Sequence, residues 1–349
     1  MILHISPNVV FIHQFIGFVE KSFSELEMKY VIYQKNQEKK IPENSKVQKL
    51  NYSLTKIRFG SLISLIRDIN KAERIVLHGL NEAMTFLLLF LMPWNLKKSY
   101  WFTWGDDVYK EVLKNSFKLK LLSFFKKFVV KNLGFIVVEI DGEYENIKKL
   151  FKPRGERIKS FKYPSNIFTS AITERINKDS LNILVGNSSD PGNYHLEIFS
   201  TLKKELVKKG IQDYNIVCPL SYGSDDHAEK VIKEGKLLFG SNFKPLTDFL
   251  PLDEYQRILS NLDIALFNHR RQQAMGNIIN LIGLGKKVFI RKEVTTWEYF
   301  EQLNIKVYCT SELELERVTE EIANKNSEIV KAYFSKEKLQ SDLKQVFTA

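Results

Sequence analysis

Cysteine is nearly missing from this chain of 349 residues: there are two, Cys218 and Cys309. Each closes an apolar, strand-like run, YNIVCP and IKVYC. Such positions read as buried free thiols, which excludes a disulfide framework and points to a reducing compartment. No Cys/His group has zinc spacing, so no bound metal is expected. Tracts rich in Gly/Ser or Pro are absent, which argues against long disordered segments. No fixed-period repeat occurs, which excludes a solenoid. The most apolar run, AMTFLLLFLMPW from Ala83 to Trp94, is too short to span a bilayer, which takes roughly 20 residues. It reads as a buried helix, with membrane contact as the lesser alternative. The first residues, MILHISPNVVFIHQF, lack the basic start and long apolar core of a signal peptide.

What is present is positive charge and alternation. Lys and Arg number 52 against 41 Asp and Glu, a net charge of +11 that favours anionic partners. Nucleic acid is not expected among them, because no recognition signature appears. Apolar runs alternate with amphipathic stretches almost throughout. MILHIS, YVIYQ, RIVLHGL, YWFTW, GFIVVEI and SFKYP read as one series of buried strands. LNILVGN, NIVCPL, KLLFG, DIALFN, KKVFIR and IKVYC read as a second. Strands alternating with helices predict parallel sheets covered on both faces. The expectation is an α/β chain of two doubly wound domains facing a cleft. The first domain takes residues 1–165 and a polar linker 166–180; the second takes 181–330. A charged helical segment runs from about Glu312 to Gln345, and its end, 331–349, is expected to pack back on the first domain.

In such sheets ligands bind beyond the carboxyl ends of the strands. RRQQAMGN lies between the strand IALF and the helical IINLIGLG. It places Arg270, Arg271, Gln272 and Gln273 at a strand end. The amides of Gly276 and Asn277 then open a helix, where the dipole favours an anion. Arginine forks onto phosphate, so a diphosphate clamp is the leading reading and a solvated basic turn the other. In ILVGNSSDPGNYH, Gly186 allows close backbone approach, and Asn187, Ser188 and Ser189 offer donors. A capped turn is the equal alternative. Neither a dinucleotide fingerprint nor a Walker lysine is present. Tyr222, Phe249 and Leu250 follow other strands; they frame a nucleoside or pack in the core.

In the first series, Trp101, Trp104 and Tyr109 surround Asp106 and Asp107. A carboxylate there serves as a base, as a sugar ligand, or as a helix cap. His78 with Gly79, and His4 with Asn8, end two further strands. The stretch from 110 to 131 interleaves Lys110, Lys114, Lys118, Lys120, Lys126, Lys127 and Lys131 with Leu and Phe. It reads either as a basic helix on an anionic membrane or as a helix covering the sheet with its lysines in water.

With these motifs in view, the sequence resembles the bacterial TDP-N-acetylfucosamine:lipid II N-acetylfucosaminyltransferases, the 4-alpha-L-fucosyltransferases of glycosyltransferase family 56. The resemblance rests on FTWGDDVY, ILVGNSSD followed by NYH, VCPLSYG, LDEYQRILSNLDIALFNHRRQQAMGN, and GKKVFI with TTWEYF. It implies a GT-B fold of two Rossmann-like domains, and a metal-independent transferase without a cofactor. The implied donor is a dTDP-sugar carrying 4-acetamido-4,6-dideoxygalactose. The implied acceptor is a polyprenyl-diphosphate saccharide at the inner face of the cytoplasmic membrane. Asp107 falls on the family's aspartate, so Asp107, Arg271 and His78 become the candidate catalytic residues. Gly186, Asn187, Ser188, Ser189, Tyr222, Phe249, Leu250, Gln272, Gln273, Gly276 and Asn277 become the donor set. His4, Asn8 and Trp104 become the acceptor side. A UDP-sugar enzyme of O-antigen or capsule synthesis and a non-catalytic nucleotide or polyanion binder remain as alternatives.

Overall fold

The computed structural model describes residues 1–34, 46–51, 59–109, 117–169 and 180–348. The chain divides into two compact units, Met1–Ser165 with Lys336–Ala349, and Asn166–Ser335.

The first unit begins with β1 (Ile2–Pro7), α1 (Val10–Ser22), β2 (Met28–Gln34), β3 (Val47–Asn51), α2 (Phe59–Lys71) and β4 (Arg74–His78). It continues with α3 (Ala83–Leu91), β5 (Ser99–Phe102), α4 (Asp106–Tyr109), α5 (Phe117–Asn132), β6 (Phe135–Val137), α6 (Asp141–Phe151) and β7 (Glu156–Ile158). Its strands form a seven-stranded sheet in the order β3-β2-β1-β4-β5-β6-β7, and every pairing is parallel. The central strands are apolar on both faces because helices cover both. In β4, for example, Ile75, Val76 and Leu77 are all fully buried.

The second unit repeats the pattern. It runs β8 (Leu181–Val185), α7 (His195–Lys208), β9 (Tyr214–Pro219), α8 (Asp225–Phe239), β10 (Phe243–Leu246), α9 (Leu252–Ser260) and β11 (Ile264–Phe267). Then come α10 (Met275–Gly283), β12 (Lys287–Ile290), α11 (Thr295–Gln302), β13 (Tyr308–Cys309) and α12 (Glu320–Tyr333). The strand order is β10-β9-β8-β11-β12-β13, again all parallel. The last helix, α13 (Lys336–Thr348), belongs to the first unit. There Phe347 meets the His4 ring edge-on at 5.6 Å, and Arg74 donates to the Val346 carbonyl at 3.0 Å.

The structure departs from the sequence reading in four elements. KLLFG is the end of α8, where Val231, Gly235 and Phe239 repeat on one buried helical face. The strand falls instead on Phe243–Leu246, at the sheet edge, where Pro245 can be accommodated. SFKYP is likewise no strand; β7 is the polar ERI just before it. The stretch from Glu312 to Gln345 is two helices, preceded by a non-helical run to Thr319. The basic stretch 110–131 is helical from Phe117; Lys110 and Lys114, and the side chain of Lys118, lie outside the described residues. Within it Lys126 does not face water but is buried. Among the described residues no helix is long and apolar enough to cross a membrane.

Candidate active site

Both sheets reverse their strand order at one point, between β1 and β4 and between β8 and β11. That reversal opens a crevice at the carboxyl ends; Gly186 follows β8 and Arg271 follows β11, whereas Phe249 and Leu250 follow the edge strand β10.

In the second unit β8 ends in Gly186, at φ +72°. A Cβ there would stand 2.5 Å from His195 Nε2 and 2.8 Å from Asn193 Oδ1, so only glycine fits. The turn that follows is held by amide groups. The Asn187 N–H donates to Asn193 Oδ1 at 2.9 Å, and Asn187 Nδ2 donates to the Tyr222 hydroxyl at 2.8 Å. The Ser189 N–H and hydroxyl both donate to the Tyr222 carbonyl, at 2.8 and 2.9 Å. From the β11 side His269 Nε2 bonds Asn193 Oδ1 at 2.8 Å and Asn187 Oδ1 at 3.1 Å. His195 Nδ1 faces His227 Nε2 at 3.2 Å. Burial pushes His195 and His269 down to about 3, helped by His227 for the first and by Arg271 for the second. Both are therefore neutral and position the two loops.

After β11 the chain passes through Asn268 and His269 to Arg270 and Arg271. These arginines differ. The Arg270 guanidinium stacks 4.4 Å from the Tyr194 ring centroid and pairs with Glu197 at 3.3 Å. Arg271 is less exposed and stands 3.6 Å from Asp190, at the tip of the β8 loop. Ala274, at φ +60°, turns the chain into α10, whose N-terminus has no side-chain cap. The first amides of the helix, Met275 through Asn277, follow Arg271 closely in the chain and carry the positive end of the helix dipole. Gln273 lies beside the β8 loop, its Oε1 3.6 Å from a Cβ built on Gly192. Gln272 is half-buried in the same turn. Phe249 is exposed and Leu250 half-buried, past the end of β10 on the same sheet edge. The helix after them is preceded by Pro251 with no side-chain cap, so Asp253 lies inside its first turn.

In the first unit the candidates meet in a buried chain of hydrogen bonds. His4 Nδ1 bonds His78 Nε2 at 3.0 Å, His78 Nδ1 bonds the Tyr163 hydroxyl at 2.9 Å, and Trp104 Nε1 donates to that hydroxyl at 2.7 Å. Burial lowers the pKa of both histidines, His4 to about 3 and His78 well below its ordinary value. The indole of Trp104 lies on Gly79, where a Cβ would come within 3.1 Å of the ring. Asn8 is placed apart from this chain, bonded to His13 at 2.7 Å.

Asp107 is the main correction to the sequence reading. It is fully buried, and its carboxylate accepts from the Leu80 N–H, Trp101 Nε1 and the Trp104 N–H at 3.0, 2.7 and 3.0 Å. Burial raises its pKa, opposed by Lys126 and these donors. Through these donors it ties together the loops after β4 and β5. Asp106 is the half-exposed neighbour, accepting from Asn81 at 3.2 Å. His78 likewise has both ring nitrogens hydrogen-bonded within the protein.

Several residues escaped the sequence reading. His195, His227 and His269 carried no spacing signal, although NYH and FNHRR contain two of them. Tyr163 and Lys162 were hidden in a misread strand. Lys162 sits at φ +66° in a tight turn closed by the Tyr163 N–H on the Phe161 carbonyl at 2.8 Å. Burial lowers its pKa to about 8, against Glu139, Asp107 and Glu143.

Solved glycosyltransferases share the fold. WaaG, a glycosyltransferase involved in lipopolysaccharide biosynthesis, matches over 100% of both chains at 12% identity and a TM-score of 0.65. Sucrose-phosphate synthase from Thermosynechococcus elongatus matches over 99% of this chain and 98% of its own, at 10% identity and a TM-score of 0.69. A glycosyltransferase from Rickettsia africae ESF-5 gives 13% identity and 0.65 over the same shares. The fold is therefore GT-B, two Rossmann-like domains. The model of one glycosyltransferase family, described as 4-alpha-L-fucosyltransferase, glycosyl transferase group 56, matches residues 13–344. By that match the chain belongs to the 4-alpha-L-fucosyltransferase family and is an enzyme that transfers a hexosyl group from a nucleotide-sugar donor to a saccharide acceptor.

Proposed function

We propose that the donor is a dTDP-sugar of the 4-acetamido-4,6-dideoxygalactose type and the acceptor a polyprenyl-diphosphate-linked saccharide in bacterial surface polysaccharide synthesis, of the enterobacterial common antigen kind. The observation that carries this reading is the uncapped start of α10 beside Arg271, at the strand-order reversal of the second unit. In transfer the bond from the anomeric carbon to the diphosphate oxygen breaks and a bond to the acceptor hydroxyl oxygen forms. The acceptor proton is lost and the nucleoside diphosphate leaves with the bonding electrons. Arg271 and the amides of Gly276 and Asn277 meet that developing charge. Gln272 and Gln273 hold donor sugar or phosphate. Gly186, Asn187, Ser188 and Ser189 line the phosphate side, and Tyr222, Phe249 and Leu250 frame the base and ribose.

Asp107 and His78 act through the loops they fix, and Trp104, with its indole locked, supplies a wall on the acceptor side. A lipid-linked acceptor is supported by the surface of α3 and α5. Leu91, Leu121, Phe124 and Phe128 are exposed there among Lys120, Lys127 and Lys131, with the exposed Trp94 in the turn after α3. Aromatic and aliphatic groups interleaved with lysine suit an anionic membrane face.

Calorimetric titration with dTDP and UDP, followed by a transfer assay with prenyl-diphosphate saccharide, tests the reading. Tighter dTDP binding and sugar transfer are expected. Preference for UDP would move the enzyme to the UDP-sugar alternative.

A further inference from the structure

The first unit contains a cavity of about 420 Å³ at the carboxyl ends of β1, β2 and β4, roofed by the first turns of α3 and α5. Its polar side chains are already engaged within the protein. The Tyr33 and Thr85 hydroxyls bond each other. His78 is held by His4 and Tyr163, and Trp104 Nε1 by Tyr163. Asn81 is held by Asp106, and Lys126 donates to the Asp107 carbonyl at 2.6 Å. Glu82 also lines it, and the rest of the wall is aliphatic and aromatic, including Ile5, Leu80, Ala83, Phe86, Leu119 and Leu122. A saccharide has a hydroxyl on nearly every carbon. In this wall most of those hydroxyls would lose water without gaining a partner, at roughly 1–3 kcal/mol each. A hydrocarbon loses nothing and gains burial.

We propose that this cavity receives the hydrocarbon chain nearest the phosphate of the lipid-linked acceptor, and that the enzyme thereby reads the lipid as well as the sugar. The inference rests on the acceptor reading above for the identity of the amphiphile. At about 30 Å³ per water-sized group, the cavity holds about 14 such groups, or nearly three five-carbon isoprene units. The helices that roof it also carry the exposed Leu91, Leu121, Phe124 and Phe128, so one pair of helices offers both an apolar surface and an apolar interior.

The test uses the whole protein and three probes: farnesyl monophosphate, inorganic phosphate and phosphatidylglycerol vesicles. Farnesyl monophosphate is expected to bind with a negative heat-capacity change, the mark of apolar burial, whereas inorganic phosphate gives no binding heat. Ala83→Phe sets a ring into the cavity from the first turn of α3. It is expected to weaken farnesyl monophosphate binding at least tenfold and to reduce the preference for prenyl-linked over chain-free acceptor by a similar factor. Vesicle binding should shift by less than twofold. Farnesyl monophosphate binding that survives Ala83→Phe overturns the proposal. So does a parallel loss of vesicle binding, which would place the chain on the outer helix surface. Should the variant not fold, competition on the wild type decides: dodecyl phosphate displaces farnesyl monophosphate if the cavity takes hydrocarbon, and failure to displace it sinks the idea. A wild type that binds farnesyl monophosphate but transfers no sugar to any prenyl-linked saccharide retains the cavity assignment and refutes the acceptor reading.

Discussion

The two units share the order of six strands, the first unit adding a seventh at its edge, and differ at the carboxyl ends of their strands. In the second unit the reversal between β8 and β11 is edged by amides, imidazoles and an arginine, and α10 begins there without a cap. In the first unit the equivalent edge, between β1 and β4, is mostly aromatic and aliphatic, and His78, Trp104, Tyr33, Thr85 and Lys126 are bonded within the protein. The same architecture thus gives one edge fitted to charge and one fitted to apolar surface. The sheet sets where a site can be; the loops set what it takes.

Arg271→Ala gives the largest expected change, because it removes the charge from the edge defined by charge. Turnover should fall by about 100- to 1000-fold, the usual loss for one donor to a developing anion, with weaker dTDP binding by calorimetry. Unchanged turnover and unchanged dTDP affinity would remove the diphosphate assignment.

The glycines at the two edges allow a direct contrast. Gly186→Ala meets both the left-handed backbone and a packed imidazole 2.5 Å away. It should lower stability by about 2–4 kcal/mol in denaturant unfolding. Gly79→Ala, also at positive φ, meets the Trp104 ring at 3.1 Å and should lower it by about 1–3 kcal/mol. The reverse order would mean that the β8 loop is the softer of the two.

Asp107→Asn separates positioning from direct chemistry. An amide cannot accept from the Leu80, Trp101 and Trp104 donors as a carboxylate does, so stability should drop by about 1–3 kcal/mol. Acceptor KM should rise while dTDP binding is kept. A loss confined to kcat, with an unchanged melting temperature, would restore Asp107 as a reacting group.

Acid stability, unlike these substitutions, is a property shared by both units. His4, His78, His195 and His269 are held neutral in the fold, with pKa values below the ordinary 6.5. Below pH 6.5 the unfolded chain takes up protons at these positions and the folded one does not, so stability falls as pH falls. The slope is at most about 1.4 kcal/mol per pH unit for each histidine, and for His4, His195 and His269 it ends near pH 3, where the folded groups also protonate. Equilibrium unfolding at pH 7 and pH 5.5 checks this; equal stability at the two would mean that the imidazoles are not neutral in the fold.

The alternation of apolar runs made the parallel, doubly wound plan legible, because a strand buried on both faces needs a continuous apolar run wherever it occurs. RRQQAMGN was legible for a similar reason: a strand, a basic turn and a helix start in succession fix where the amides point. Short or edge strands were not. KLLFG has a strand's composition but a helical phase that only Val231, Gly235 and Phe239 together reveal, and FKPL is a strand because β9 offers it an edge.

The sequence by itself determined the two sheets, the family and the turn that carries Arg271, since each depends on residues close together in the chain. Only the tertiary structure decided that Asp107 is sealed behind three donors and that His4, His78, Tyr163 and Trp104 form one chain. It also decided that His78, Trp104, Tyr33, Thr85 and Lys126 around the first unit's cavity are bonded within the protein. Whether a polar side chain is open to a ligand depends on its hydrogen-bond partners. In a parallel sheet those partners come from strands and loops far apart in sequence.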